Sequence, residues 1–168
     1  MIAQAQSLNA STGIDFPLTV ADARRLPFDN ASFDQAFTAF GAIPFVKNPQ
    51  EVHREVFRVL RPGGVWTFAT THPMRWAFPD DPDSLTVTRS YFDRTPYAET
   101  TAKGTYAEFH RTLGDHINDV ITCGFTIGRI LEPEWVEGNT HVWGGWSPTR
   151  GTYLPGTLII QVHRPTGV

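Results

Sequence analysis

The chain has 168 residues, 40% of them apolar and 18% charged, with a formal net charge of −3. That is enough for one domain with its own core and too apolar for a disordered chain. No Lys/Arg run offers a nucleic acid a basic stripe, no apolar run approaches the ~20 residues that span a bilayer, and the lone Cys123 excludes an internal disulfide, which fits a reducing cytoplasm.

The opening MIAQAQSLNAS lacks the charged and apolar regions of a signal peptide. Residues 1–10 read as a helix, because Met1, Ala5 and Leu8 share one face with Ile2 beside them, and NASTG is its stop. Residues 16–23 read as a short apolar strand ending at Asp22. An acid at the carboxyl end of a buried parallel strand can accept a hydrogen bond from a ligand's amino group. On position alone, capping of its own loop is the stronger reading. Turn chemistry at Leu26-Pro27-Phe28 and Asp29-Asn30-Ala31-Ser32 precedes a strand over 33–40, apolar enough to predict burial on both faces. Ala39, Phe40 and Gly41 then stand at the ligand edge.

Residues 48–61 are the clearest helix. Asn48 is its N-cap, Pro49 its first residue and Glu51 completes a capping box, while Val52, Val56, Val59 and Leu60 make the apolar stripe. Glu51–Arg54 and Glu55–Arg58 read as a solvated outer face. Pro62-Gly63-Gly64 is the expected stop before a strand over 65–69. His72 follows where that strand exits toward the ligand edge. A histidine there can take a proton from a nucleophile, or it can be a loop residue held by Pro73.

The βαβ rhythm breaks over residues 74–108. Asp80-Asp81-Pro82-Asp83 is an acidic turn, and the alternation of 85–92 predicts an antiparallel strand paired with 106–112. Trp76, Phe78, Tyr91, Phe92, Tyr97 and Tyr106 make this an aromatic insertion over the mouth of the sheet. Thr112 and Asp115 open another helix, with Leu113, Ile117, Val120 and Ile121 as its buried stripe and Gly124 as its end. A strand over 125–131, a Trp/Gly/Pro-rich loop containing Trp135 and Trp143-Gly144-Gly145-Trp146, and a last strand over 157–163 complete the chain. The spacing of His110 and His116 fits no metal motif, and there is no G-x-S-x-G hydrolase signature.

Three stretches carry a resemblance: ADARRLPFDNASFDQAF from Ala21, REVFRVLRPGGVWTFAT from Arg54, and FHRTLGDHINDVITCGFTIGRILEP from Phe109. They resemble the D-A-x-x-L-P-F-x-x-x-S-F-D, helix–L-[KR]-P-G-G–strand and H-R-[TP]-L-x-x-Y…GF…EP blocks of the class I S-adenosylmethionine-dependent methyltransferases, small-molecule methyltransferase-domain group. The resemblance implies an α/β fold with an incomplete Rossmann-like sheet, family strands three to seven, in a single domain over 1–168 with the aromatic β insertion over 74–108. It implies S-adenosyl-L-methionine as cofactor. Asp22, Ala23, Ala39, Phe40 and Gly41 then contact that cofactor, His72 and His110 are the catalytic candidates, and Tyr91, Arg111 and Trp135 the substrate-binding ones. No metal, nucleic acid or membrane partner is expected, and the location is cytoplasmic.

The family's glycine-rich motif and first two strands would precede Met1, and neither Gly63-Gly64 nor Gly144-Gly145 substitutes for them. In the family, strands one and two separate strand three from strand four. The expected function is methyl transfer to a small molecule in the full-length form, impaired in this chain. The alternative is a non-catalytic module acting by self-association or protein binding, with a homodimer completing the sheet.

Overall fold

A computed structural model describes residues 2–102 and 104–167. Its centre is a four-stranded sheet in the order β1-β2-β6-β5, comprising β1 (Phe33–Ala39), β2 (Leu60–Thr71), β6 (Thr157–His163) and β5 (Thr126–Leu131). β1 and β2 are parallel, and β6 runs antiparallel to both β2 and β5. In family terms this is the run of strands four, five, seven and six. Helices α2 (Pro49–Val59) and α3 (Leu113–Thr122) pack on one face. Alternate residues of the central strands point at them, so Trp66, Phe68, Leu158, Ile160 and Val162 are buried with Val52, Val56 and Val120. Helix α1 (Ile2–Thr12), the β3 (Tyr97–Thr101) and β4 (Gly104–Glu108) hairpin, and the short α4 (Pro148–Gly151) lie outside this core.

Several expectations are corrected. Residues 16–23 form no strand: only an isolated bridge links Asp22 to Arg25, and Val20 is 79% exposed. A strand exists only through its ladder, and among the described residues no strand lies beside this segment. β1 is not buried on both faces: it is an edge strand, and Phe37 is 81% exposed. Helix α1 forms, yet it buries no residue, and Met1 lies outside the described residues.

Helix α2 ends at Val59, and Leu60 is already extended. Pro62-Gly63-Gly64 therefore forms a turn inside β2 rather than the helix stop, and the ladder with β1 resumes at Val65. A Cβ on Gly64 would stand 2.8 Å from the Arg61 carbonyl oxygen and 3.0 Å from that of Asp34, so the turn requires glycine there. Asn48 makes no capping hydrogen bond: its amide nitrogen turns instead to Glu51 Oε1 at 3.4 Å. The Glu55–Arg58 pair is more than a solvated face. Arg58 donates to the Phe28 carbonyl at 2.8 Å and to Asn30 Oδ1 at 2.8 Å, while Glu55 accepts the Leu26 N–H at 2.7 Å, so the pair pins the loop before β1.

Residues 85–92 form no strand. The Thr88 and Arg89 N–H groups instead donate to the Ala77 carbonyl, at 2.9 and 3.2 Å. The hairpin partner of β4 is β3, whose register runs from Tyr97 opposite Glu108 to Thr101 opposite Gly104. The shorter loop costs less closure entropy. In α3 the Thr112–Asp115 capping box forms, but Ile121 is 51% exposed and the buried face takes His116 and Asp119 beside Val120.

Candidate functional site

The parallel strands β1 and β2 end side by side, and their following loops diverge into a cleft, as open α/β sheets provide. After β1 the backbone is strained. Phe40 has φ 55°, and Ala42, at φ 58° and ψ −70°, is the centre of a three-residue turn closed by Ile43 N–H donating to the Gly41 carbonyl at 2.7 Å. A bond from Phe40 N–H to the Ala69 carbonyl at 2.8 Å ties this turn to β2. The sequence thus holds two side-chain-bearing residues in a conformation that favours glycine, at the point where a ligand would approach the strand ends.

The cleft encloses about 200 Å³. Phe40 and Phe45 come from the β1 side, Thr70 and Trp76 from the β2 side, and Tyr106 and Phe109 from the hairpin and its exit. A contiguous depression of about 430 Å³ shares Thr71, Trp76, Tyr106 and Glu108 and extends to Arg75, Arg89, Tyr97 and Glu99. Trp76 and Tyr106 of the aromatic segment thus line both spaces.

Two polar side chains complete the inner wall. Arg111 donates to buried Asp119, which also accepts the Gln50 amide at 2.9 Å, so α2 and α3 hold the guanidinium through one carboxylate. Its Nε has no partner among the described residues. His116 is 4% exposed, lines the cleft, and its Nδ1 is likewise unpartnered. Burial, with help from the Arg111 charge, pushes its pKa down to about 4. Behind it, His53 accepts the Trp66 indole N–H at Nδ1, 3.1 Å away, and burial pushes it to about 3. Both imidazoles are uncharged at neutral pH.

Of the residues singled out from sequence, Phe40 and Arg111 line this cleft. Ala39 and Gly41 flank Phe40 in the strained turn, and Ala23 packs against the core. Asp22 is half-exposed and pairs with Arg24 at 2.7 Å, and its Oδ1 accepts the Arg24 backbone N–H at 2.9 Å; these bonds hold its pKa down at about 2. It caps its own loop as well as ending the segment before β1. His72 is 3% exposed with both nitrogens engaged: Nδ1 accepts the Met74 N–H at 3.2 Å, so Nε2 carries the hydrogen donated to Glu132 at 2.8 Å. In this state it fixes the turn after β2 and has no free lone pair for a substrate proton. His110 Nε2 donates to the Tyr91 carbonyl at 2.6 Å, and its buried Nδ1 has no partner among the described residues. Burial pushes the His110 pKa down, partly offset by that bond. Tyr91 accepts the Leu113 N–H through its hydroxyl at 2.8 Å, supporting the start of α3 rather than lining the cleft. Trp135 stands apart: it stacks on Trp143, donates to the Asn139 carbonyl at 2.9 Å, and lines a separate cavity with Tyr153 and Pro155.

Sequence reasoning missed His116, Asp119, Gln50 and Glu132. The helical phase of α3 held the only signal for two of them, since His116 and Asp119 stand one turn apart beside Val120. Among the described residues no helix is long and apolar enough to cross a membrane, and no group of three or more His, Cys, Asp or Glu side chains is placed to hold a metal ion.

Residues 1–68 match the family described as a methyltransferase domain. An uncharacterized protein of Methanocaldococcus jannaschii is 42% identical over 62 residues, covering 36% of this chain and 24% of that protein. Squalene methyltransferase 2 of Botryococcus braunii is 44% identical over 71 residues, covering 41% of this chain and 18% of that protein. The chain thus spans a quarter or less of the length of these curated relatives. A Listeria monocytogenes protein provisionally described as an S-adenosylmethionine-dependent methyltransferase superposes with a TM-score of 0.72 at 16% identity, over 97% of this chain and 77% of that one. At that identity the likeness shows the fold.

Proposed function

We propose that this chain, a class I S-adenosylmethionine-dependent methyltransferase by its fold and by the methyltransferase domain over residues 1–68, serves methyl transfer to a small molecule. The observation that carries the reading is the aromatic cleft beyond the carboxyl ends of β1 and β2, bounded by the strained turn at Phe40 and Ala42. The residues present fit part of a cofactor site. The turn brings backbone of residues 39–42 to the strand ends without a long side chain at Gly41, and the two oxygens of Asp22 retain acceptor capacity beside Arg24. S-adenosylmethionine, when bound, supplies a methyl group already activated on a sulfonium. The chain's task is then alignment and exclusion of water, for which proximity provides most of the acceleration. Residues 74–108 act as the cover, His72 and Glu132 hold the β2 exit in place, and Arg111 orients the acceptor from the inner wall.

A second reading is a non-catalytic module, and the open edge of β1 favours it. Its outer side carries no strand among the described residues, and Phe37 stands exposed there. A parallel strand from a further segment or a second copy would pair at this edge and set its own loop beside Phe40. Isothermal titration of the 168-residue chain with S-adenosylhomocysteine separates the two. Micromolar binding supports a working cofactor site. No binding by a folded sample overturns that reading and leaves the module.

A further inference from the structure

The charges around the cleft are not balanced. Arg75 pairs with Asp80 and Arg111 pairs with Asp119, while Arg89 lines only the outer depression. The guanidiniums of Arg75 and Arg111 thus each face their own carboxylate. Glu99 and Glu108 differ. Glu99 accepts the Tyr97 hydroxyl at 3.2 Å and Glu108 accepts the Tyr106 hydroxyl, and among the described residues no cation pairs with either. The tyrosines sense the surplus. The Glu99 charge and hydrogen bond shift the Tyr97 phenol upward, and burial, followed by the hydrogen bond and charge of Glu108, shifts that of Tyr106.

The rings have the geometry that accompanies such a surplus. Tyr106 contacts Phe45 at 5.5 Å and Tyr97 at 6.3 Å between ring centres, and Trp76 and Phe40 close the same space. A positive group placed among these rings meets several negative π faces and the Glu108 carboxylate, with Glu99 farther out, neither of which has an ion-pair partner among the described residues. At the inner end, the buried imidazole of His116 offers an uncharged hydrogen-bonding group with an unpartnered Nδ1. A carboxylate ligand would instead meet Glu108 directly, with the Arg111 guanidinium shared with Asp119.

We infer that the cleft between the β1–β2 ends and the β3–β4 hairpin recognises an amine or ammonium group on a small aromatic or aliphatic ligand. The amine sits among Phe45, Trp76 and Tyr106, with Glu108 and Glu99 as counter-charges and His116 at the far end. The inference rests on reading this cleft as the acceptor site, and it assigns the acceptor class as organic amines.

The test uses three probes of matched shape, 3-phenylpropylamine, 3-phenylpropanoate and 3-phenyl-1-propanol, titrated into the intact chain by ligand-observed NMR. The amine is expected to bind about tenfold more tightly than the carboxylate, with the alcohol between them. Glu108→Gln keeps an acceptor for Tyr106 and is expected to remove most of that preference. Glu99→Gln, on the exposed hairpin, is expected to reduce it without touching the fold. Equal or tighter binding of the carboxylate, no amine binding at millimolar concentration, or an amine preference unchanged in both variants would each overturn the assignment. Amine binding without S-adenosylhomocysteine binding would uphold it while sinking the cofactor reading, and the converse pattern would sink it alone.

Discussion

Acid should unfold this protein through two buried imidazoles. His53 is fully buried and His116 is 4% exposed. From the ordinary 6.5, burial pushes His53 down to about 3 and His116 to about 4. Between the ordinary and the depressed values the unfolded chain binds a proton at each site and the folded chain does not, so stability rises with pH. The contribution is fully present above about 6.5 and is lost as pH falls toward the folded values. At about pH 5 each histidine has cost about 2 kcal/mol, or about 4 kcal/mol together, a large part of the ~5–15 kcal/mol that holds a domain folded. Urea unfolding followed by tryptophan fluorescence, compared at about pH 7.5 and about pH 5, should show the midpoint fall by roughly 2 M at an m-value of ~2 kcal/mol/M. His116→Gln should halve the fall. His53→Gln should do the same while leaving the Trp66 indole an acceptor. An unchanged midpoint across the two conditions, or the full loss persisting in the double variant, would refute the reasoning.

Asp119→Ala strips Arg111 of its buried partner and leaves the Gln50 amide without an acceptor. Arg111 is itself 24% exposed, so the loss should lie at the low end for buried pairs, about 3 kcal/mol by urea unfolding, and Asp119→Asn should recover part of it. Ala42→Gly relaxes the left-handed centre of the turn after β1 and should raise stability by about 0.5–1 kcal/mol in the same assay, since only glycine adopts φ 58° without strain.

How much was legible depended on whether a residue's partner lay nearby in sequence. The capping box of α3 was readable because Thr112 and Asp115 are three residues apart and answer each other alone. The Glu55–Arg58 pair was visible as a pair, but its purpose was not. Leu26, Phe28 and Asn30, whose backbone and side chain it holds, lie about thirty residues away. His72 read as either a base or a loop residue because only its position at the strand exit is visible in the sequence, whereas Glu132, which occupies its Nε2, arrives from a distance of 60 residues. The resemblance implied Trp135 as a substrate contact, and packing set it in a different cavity from the one at the β1–β2 ends.

The sequence by itself determined β1, α2, β2, α3, β5 and β6 in their order, the α/β fold class and the aromatic character of residues 74–108. Those follow from local periodicity, caps, turn residues and the three motif blocks, all of which act over a few residues. Tertiary structure alone decided that residues 16–23 are not a strand, that β1 is an edge, and that His116, Asp119 and Arg111 meet at the inner wall. A ladder needs a neighbour, burial needs a covering layer, and the balance of charge in a cleft needs every element that lines it. None of these is a property of a short stretch of chain.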